Sequence, residues 1–231
     1  MKTLGLIGGI SWHSTASYYR LINQYTQERL KGHHSAKLLL HSINYHEFKE
    51  LQAKDDWEQI GSMLSGIALR LQEGGAQGIV IYSNTPHLVA DHIANSIQIP
   101  VLHIAQAAAR EIAANQVRSI GLIGTKFTME QAFFKNHLAS AGIDTLIPEK
   151  EEREWIHQAI ITELSKGILN PATKAGFLNI IKGLCQKGAQ AVVLGCTEFS
   201  LLLDPSQGPV KLFDTTAIHA KAAVDFAMGT D

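Results

Sequence analysis

Two residues capable of acid–base chemistry each follow a short apolar run. Cys196 comes directly after Gly195 and the run Ala191–Leu194, and Ser83 follows the run Gly78–Tyr82. A thiolate is a strong base and nucleophile, and it is favoured where backbone N–H groups open a helix. We therefore expect Cys196 to lie at a helix start, with its thiol activated. The alternative is that Cys196 is a small buried apolar residue, which is the usual role of a free cysteine.

Polar residues beside these two positions are equipped to hold a carboxylate. Asn84 and Thr85 offer side-chain donors next to Ser83, and Thr125 and Thr197 offer the same in the second half of the chain. Ordinary helix N-capping by Asn and Thr is the alternative explanation. Near the N-terminus, Ser11 follows paired glycines, which would let an anionic group approach the backbone.

Several other kinds of site are excluded, because the sequence lacks the motifs that they require. Ser83 lacks the G-x-S-x-G elbow of a serine hydrolase. The glycines after the first apolar run form neither G-x-G-x-x-G nor a P-loop. The histidines form no H-x-x-x-H pair or Cys/His quartet, so we expect no catalytic metal. We interpret Cys185, within an amphipathic segment, as a packing residue.

The composition narrows the class of protein further. The chain has 231 residues, 45% of them hydrophobic, and a formal net charge of −1. A binder of nucleic acid would carry a basic excess, so we expect no nucleic-acid partner. No apolar run approaches the roughly 18–20 residues that cross a bilayer, and we expect no membrane association. Two cysteines make a poor disulfide framework, which favours the cytoplasm.

Short apolar runs alternate with longer amphipathic segments along the chain. The runs Leu4–Ile7, Leu38–His41, Gly78–Tyr82, Val101–Ile104, Ser119–Ile123, Ala191–Leu194 and Val210–Phe213 are typical of buried parallel strands. The segments Ala16–Leu30, Trp57–Gln72, Trp155–Ser165 and Lys174–Gln186 are typical of amphipathic helices. This alternation predicts an α/β fold with parallel sheets.

An internal repeat predicts two similar halves. The motif that begins at Gly5 recurs at Gly121, and the motif that begins at Gly75 recurs at Gly188, in the same order. We expect two similar parallel-sheet α/β domains related by pseudo-twofold symmetry, with the active site in the cleft between them. The predicted first domain covers residues 1–97 and 209–231, with the final strand and helix completing its sheet, and the second covers residues 98–208. Ser83 and Cys196 would then occupy equivalent places on opposite walls.

The chain resembles the aspartate/glutamate racemase family, which consists of cofactor-independent amino-acid racemases. The resemblance covers nearly the whole length and rests on Gly8-Gly9-Ile10-Ser11-Trp12, Asn84-Thr85-Pro86-His87, Gly124-Thr125, Gly195-Cys196-Thr197-Glu198 and Phe213-Asp214-Thr215-Thr216. It implies that no cofactor is needed, that the substrate is a small amino acid, and that the protein is a homodimer.

The family mechanism uses two cysteines on opposite faces of the substrate's α-carbon, one as base and the other as proton donor. Cys196 matches the second family cysteine, and Ser83 stands in place of the first, as in broad-type members that act mainly on the L-enantiomer. The resemblance therefore implies catalysis by Cys196 and Ser83 with an L-preference. It also implies substrate contacts from Ile10, Ser11, Gln52, Asn84, Thr85, Thr125 and Thr197.

The substrate itself is less clearly specified. Aspartate-selective relatives place an Arg shortly after the second strand to hold the distal carboxylate, whereas this chain has no Arg in Asn44–Phe48. Aspartate and glutamate remain the expected substrates. Two alternatives stay open: a single-thiol decarboxylase or cis–trans isomerase of a small dicarboxylate, and a small-molecule binding protein without catalytic activity.

Overall fold

A computed structural model describes residues 1–204 and 208–230. The chain divides into two compact units, the first formed by Met1–His103 with His219–Asp231 and the second by Ile104–Ile218. Each unit contains one four-stranded parallel sheet flanked by helices. This confirms the predicted fold class of two parallel-sheet α/β units.

The strands are β1 (Leu4–Gly8), β2 (Leu38–Ser42), β3 (Gly78–Ile81), β4 (Val101–Leu102), β5 (Ser119–Gly124), β6 (Asp144–Leu146), β7 (Ala191–Gly195) and β8 (Lys211–Asp214). The helices are α1 (Trp12–Leu30), α2 (Tyr45–Ala53), α3 (Trp57–Glu73), α4 (Ala90–Ser96), α5 (Ile104–Ala114), α6 (Lys126–Glu130), α7 (Ala132–Ser140), α8 (Lys150–Thr162), α9 (Pro171–Gln186), α10 (Phe199–Leu202) and α11 (Thr215–Met228). Short 3₁₀ helices cover Thr85–Val89 and Leu164–Lys166.

The two sheets have the same strand order. The first runs β2-β1-β3-β4 and the second runs β6-β5-β7-β8, with every neighbouring pair parallel. The inner strands β1, β3 and β7 are buried along their whole length, as their unbroken apolar sequences require. Helices cover both faces of each sheet and complete its core.

The sequence repeat corresponds to one shared register. Gly5 pairs with Ile79 in the first sheet, and Gly121 pairs with Val192 in the second, at matching positions of the two motifs. The glutamines of the repeated Gly-Ala-Gln make the same contacts, since the N–H of Gln77 donates to the carbonyl of Thr3 and that of Gln190 to Ser119. Strands β3 and β7 are therefore equivalent, and Ser83 and Cys196 follow them at equivalent positions.

The last strand does not complete the first sheet, so this expectation is wrong. Strand β8 pairs with β7, because Leu212 and Phe213 bury their side chains in the core of the second unit. The first sheet takes β4 as its fourth strand instead. The following helix does return: from His219 onward α11 belongs to the first unit, where Ala220 and Ala223 pack with Leu4.

One strand was not predicted. Strand β6 has only three residues, and it lies at the edge of the second sheet with Asp144 exposed, so it lacks a continuous apolar run. Within the described ranges, no helix combines the length and apolar character needed to cross a bilayer.

Candidate active site

In the first unit, the chain leaves β1 through a strained loop. Gly9 has a φ of 87°, and a Cβ there would lie 2.2 Å from the carbonyl oxygen of Ile43. The Gly9 N–H donates to Thr15 Oγ1 (2.8 Å), which in turn donates to the carbonyl of Ser11 (3.2 Å). These contacts explain why the loop requires glycine at position 9 and a hydroxyl at position 15.

Ser11 combines backbone strain with an unpaired polar atom. Its φ is 68°, a conformation that is costly for a residue with a side chain, and only 4% of its surface is exposed. Among the described residues, the Ser11 hydroxyl has no hydrogen-bond partner. A buried hydroxyl without a partner is suited to an oxygen atom that arrives with a ligand.

Ile10 and Gln52 are the other two residues of this region that are predicted to contact the substrate, and their surroundings differ. Ile10 packs its side chain in the apolar core beside Ile7, so only its backbone is available to a ligand. Gln52 lies near the end of α2 and is half-buried.

The segment after β3 carries Ser83, Asn84 and Thr85. Ser83 is half-buried, its N–H donates to the carbonyl of Ile81 (2.9 Å), and its own carbonyl accepts from His87 Nδ1 (2.8 Å). Asn84 is the N-cap of the 3₁₀ helix, but its side chain makes no capping hydrogen bond. Helix capping therefore does not account for the Asn84 side chain. Because β1 and β3 are adjacent and parallel, this segment and Ser11 lie at the same edge of the sheet.

Behind this edge lies a buried aromatic cluster that the sequence did not predict, formed by Tyr18, Tyr82, His87 and His219. Tyr18 stacks on Tyr82, and the ring of His219 lies 5.6 Å from that of His87. His219 Nε2 donates to the carbonyl of Leu102 (2.8 Å), so its Nδ1 accepts from the Tyr18 hydroxyl (3.0 Å). Burial, followed by the charge on His87, lowers the pKa of His219 to about 3.

In the second unit, Cys196 follows β7 as predicted. The preceding Gly195 is in register with Gly124 of β5, and a Cβ on Gly195 would lie 2.9 Å from the carbonyl oxygen of Ile123. Cys196 is 6% exposed. The close approach of the two strand ends fixes the position of the residue that follows, which is Cys196.

The Cys196 thiol belongs to a compact polar cluster. Its Sγ donates to Glu198 Oε2 (3.0 Å), and Thr197 Oγ1 donates to the same carboxylate oxygen (2.8 Å). Thr197 and Glu198 are both buried. On the adjacent strand β8, Asp214 accepts from the N–H of Thr216 (2.8 Å). The thiol is thus hydrogen-bonded to one carboxyl group and within electrostatic range of a second, that of Asp214.

This environment favours the thiol form, so the thiolate that the sequence predicted is not the favoured state of Cys196. Burial raises the pKa of Cys196 well above its usual range, and the negative charge of Glu198 raises it further. Helix α10 has only four residues and begins at Phe199, after the thiol, so the expected helix start is not at Cys196. A proton acceptor is therefore needed before Cys196 can act as a base.

Two other expectations concern Thr125 and Cys185. Thr125 follows β5 and caps α6, since its hydroxyl accepts from the N–H of Thr128 (3.3 Å). Capping thus accounts for the hydroxyl of Thr125. Cys185 lies in α9 and packs against the core of the second unit, which confirms its interpretation as a packing residue.

Glu198 and Asp214 are the polar groups of this site to which the sequence assigned no role. Both lie within motifs that carry the family resemblance, Cys196-Thr197-Glu198 and Phe213-Asp214-Thr215. Their positions in those motifs were the available signal, but only the structure shows the carboxyl groups near the thiol.

The sequence profile of the Asp/Glu/hydantoin racemase family matches residues 7–223. The chain belongs to this family. The membership makes it an enzyme, an isomerase that racemises amino acids, and confirms the resemblance inferred from the motifs.

Three proteins resemble the chain over at least 96% of its length. A candidate Asp/Glu racemase from Yersinia pestis is 44% identical and superimposes with a TM-score of 0.91, covering 99% of this chain and 100% of that one. An aspartate racemase homologue from Pyrococcus horikoshii is 33% identical, with a TM-score of 0.85 and the same coverage. A broad specificity amino-acid racemase from Bacillus subtilis is 23% identical over 228 residues, which are 96% of each chain.

Proposed function

We propose that this racemase acts on aspartate or glutamate without a cofactor, by removing and returning the α-proton, and that it prefers the L-enantiomer. Cys196 is the base on the L-side and Ser83 is the group that exchanges a proton from the opposite face. The observation that carries the proposal is the equivalence of the two positions: Ser83 and Cys196 follow equivalent strands of two sheets with one shared order.

The hydroxyl at position 83 supports the preference for the L-enantiomer. An alcohol is a much weaker acid than a thiol, and each unit of pKa mismatch is worth up to about 1.4 kcal/mol. Full inversion needs both groups, whereas exchange of the L-substrate's proton needs Cys196 alone. We therefore expect L-substrate to exchange its α-proton faster than it inverts.

The polar groups at the strand ends support an amino-acid substrate that is held through a carboxylate. The unpaired hydroxyl of Ser11 and the Asn84 side chain, which does not cap its helix, lie at one edge of the first sheet. Thr85 and Gln52 of the first unit complete the proposed contacts, with Thr197 and Thr125 from the second. Thr125 would bind substrate through its hydroxyl while capping α6.

Proton NMR in D₂O with purified protein tests the proposal. L-Asp, L-Glu and a panel of other L-amino acids are incubated separately, and the loss of the Cα–H signal is followed together with chiral analysis of the product. We expect deuterium at Cα of L-Asp or L-Glu, with slower appearance of the D-enantiomer. Exchange of neutral amino acids but not of L-Asp or L-Glu would contradict the proposed substrate class.

The same NMR assay, repeated with a small dicarboxylate as the added compound, separates the alternatives. Release of CO₂ from the dicarboxylate would favour a decarboxylase, and its cis–trans isomerisation would favour an isomerase. Ligand binding without any exchange would favour a binding protein.

A further inference from the structure

Pro86 removes one backbone hydrogen bond from the segment that follows β3. In the second unit, the N–H of Phe199 donates to the carbonyl of Cys196 (3.2 Å), three residues earlier, as in a 3₁₀ turn. In the sequence repeat, Pro86 is the equivalent of Phe199, and proline has no N–H to donate. The carbonyl of Ser83 therefore cannot be held by the backbone bond that holds Cys196.

A side chain supplies the missing donor. His87 Nδ1 lies 2.8 Å from the carbonyl oxygen of Ser83, and because a carbonyl can only accept, Nδ1 carries the proton. The backbone N–H of His87 donates to the carbonyl of Asn84 (3.0 Å), which continues the 3₁₀ turn. The equivalent of His87 in the second unit is Ser200, whose hydroxyl donates to the carbonyl of Thr197 (3.2 Å) instead. The two units thus hold their equivalent residues in different ways.

Two other imidazole rings fix the orientation of His87. The ring of His103 meets it edge-on with 4.7 Å between centroids, and the ring of His219 meets it edge-on at 5.6 Å. His87 is only 2% exposed. A buried ring that is packed on two sides has little freedom to rotate, so its Nδ1–H stays directed at the Ser83 carbonyl.

Ser83 is held by hydrogen bonds on both sides of its α-carbon. Its N–H donates to the carbonyl of Ile81 (2.9 Å), and its carbonyl accepts from His87. Because peptide groups are planar, these two bonds set the orientation of both peptide planes that flank the residue. They therefore set the direction of the Cα–Cβ bond that carries the hydroxyl.

We propose that His87 is the positioning residue for Ser83: its Nδ1–H supplies the hydrogen bond that Pro86 cannot make, and thereby directs the Ser83 hydroxyl toward the α-carbon of the substrate. This inference rests on the proton exchange proposed for Ser83 above. His87 acts through the Ser83 backbone and not on the substrate. It should therefore affect full inversion, which needs Ser83, and not the exchange of L-substrate, which needs Cys196 alone.

The substitution His87→Leu removes the donor and fills much of the same volume. In D₂O, the loss of the Cα–H signal of L-substrate measures exchange, and chiral analysis of the same sample measures inversion. We expect exchange to stay close to the wild-type rate and the kcat of inversion to fall about 10²-fold, which is the effect of misplacing a reacting group by about 1 Å. Partial unfolding would lower both rates equally, so it would leave their ratio unchanged.

Two variants should restore inversion by different routes. His87→Asn places an amide N–H near the position of Nδ1, and the double variant Pro86→Ala/His87→Leu supplies a backbone N–H three residues after Ser83. His92→Leu is the matched control, because His92 is a histidine of the same unit whose ring packs against Gly61 of α3. This control should keep the wild-type ratio of exchange to inversion.

A second measurement reads the hydrogen bond without relying on activity. Ser83-Asn84 is the one Ser-Asn pair in the chain. Labelling with ¹³C-carbonyl serine and ¹⁵N-asparagine therefore gives a single HNCO peak, which reports the carbonyl of Ser83. We expect its ¹³C shift to move upfield in His87→Leu and to return toward the wild-type value in both variants that restore the donor.

The inference is overturned if His87→Leu keeps the wild-type rate of inversion, or if exchange and inversion fall by the same factor. It is also overturned if neither His87→Asn nor the double variant restores inversion, or if the Ser83 carbonyl signal does not move. A wild-type protein that exchanges no amino acid, or that exchanges without inverting, contradicts the proposed function instead. In that case the carbonyl signal still decides whether His87 holds Ser83.

Discussion

Lowering the pH should destabilise the first unit, because His219 is buried there as a neutral ring. The size of the loss in stability follows from how far burial lowers the pKa of His219. The imidazole is fully buried, donates from Nε2 to Leu102 and accepts from Tyr18 at Nδ1, so the native fold holds it neutral. Burial is the main cause that lowers its pKa from 6.5 to about 3, and the charge on His87 adds to it.

The pH dependence follows from the difference in proton binding. Below the unfolded pKa of about 6.5, the unfolded chain gains a proton at His219 that the native fold does not accept until about pH 3. The stability from the neutral ring is therefore complete above that range and is lost as the pH falls. The slope is about 1.4 kcal/mol per pH unit, which gives a loss of about 2 kcal/mol between pH 7 and pH 5.

Urea unfolding of the wild type and His219→Gln at about pH 7 and pH 5 measures this loss. Glutamine retains a donor and an acceptor but does not titrate in this range. In a Trp155→Phe background, fluorescence comes from Trp12 and Trp57, which both lie in the first unit. The wild type should lose about 2 kcal/mol more than His219→Gln on acidification.

The control is His34→Gln, which replaces an exposed histidine of the same unit and should behave as the wild type. Equal losses of stability in the wild type and His219→Gln would refute the reasoning, because the native fold would then accept the proton as readily as the unfolded chain.

Three further predictions concern the strand ends. Ser83→Cys should raise turnover of the D-enantiomer by restoring a second thiol, which steady-state assays of both enantiomers would measure; Ser83→Ala with undiminished inversion would remove Ser83 from the mechanism. Gly9→Ala should destabilise the first unit by about 2–4 kcal/mol, because the alanine would have to adopt a positive φ and its Cβ would meet the Ile43 backbone. Urea unfolding identical to that of the wild type would contradict this prediction. Thr215→Val should destabilise the second unit by about 1–3 kcal/mol, because the Leu194 carbonyl loses the buried hydroxyl that donates to it at 2.8 Å. The unfolding transition seen by Trp155 fluorescence would measure this loss of stability. An unchanged transition would contradict a stabilising role for the Thr215 hydroxyl.

The repeat was the most informative feature for predicting the fold. Glycines at matching positions of the two halves predicted equivalent strands, and the pairs Gly5–Ile79 and Gly121–Val192 confirm their register. These strands were recognisable because strands buried on both faces need continuous apolar sequence. The edge strand β6 does not need continuous apolar sequence, so the sequence did not predict it.

The repeat could not predict which sheet receives the last strand. Its motifs cover the first and third strands of each half, whereas the fourth strand pairs according to the core that its side chains enter. Leu212 and Phe213 enter the core of the second unit, and their identities alone do not distinguish the two cores.

For the candidate site, the sequence predicted the position of Cys196 correctly but the protonation state of its thiol wrongly. The position of Cys196 follows from the strand and its glycine, which are local features. The protonation state depends on the direction of the Glu198 side chain and on Asp214 of another strand. Similarly, nothing in the alanine-rich sequence around His219 indicated that its ring would be buried against Tyr18.

The account depends most on Cys196 as the base for the L-enantiomer. Deuterium incorporation at Cα of L-Asp and L-Glu in D₂O, compared among the wild type, Cys196→Ala and Cys185→Ala, tests this directly. We predict that Cys196→Ala abolishes exchange while its circular dichroism and unfolding remain those of a folded protein, and that Cys185→Ala exchanges at close to the wild-type rate. Exchange by Cys196→Ala at a rate comparable with the wild type would contradict the account.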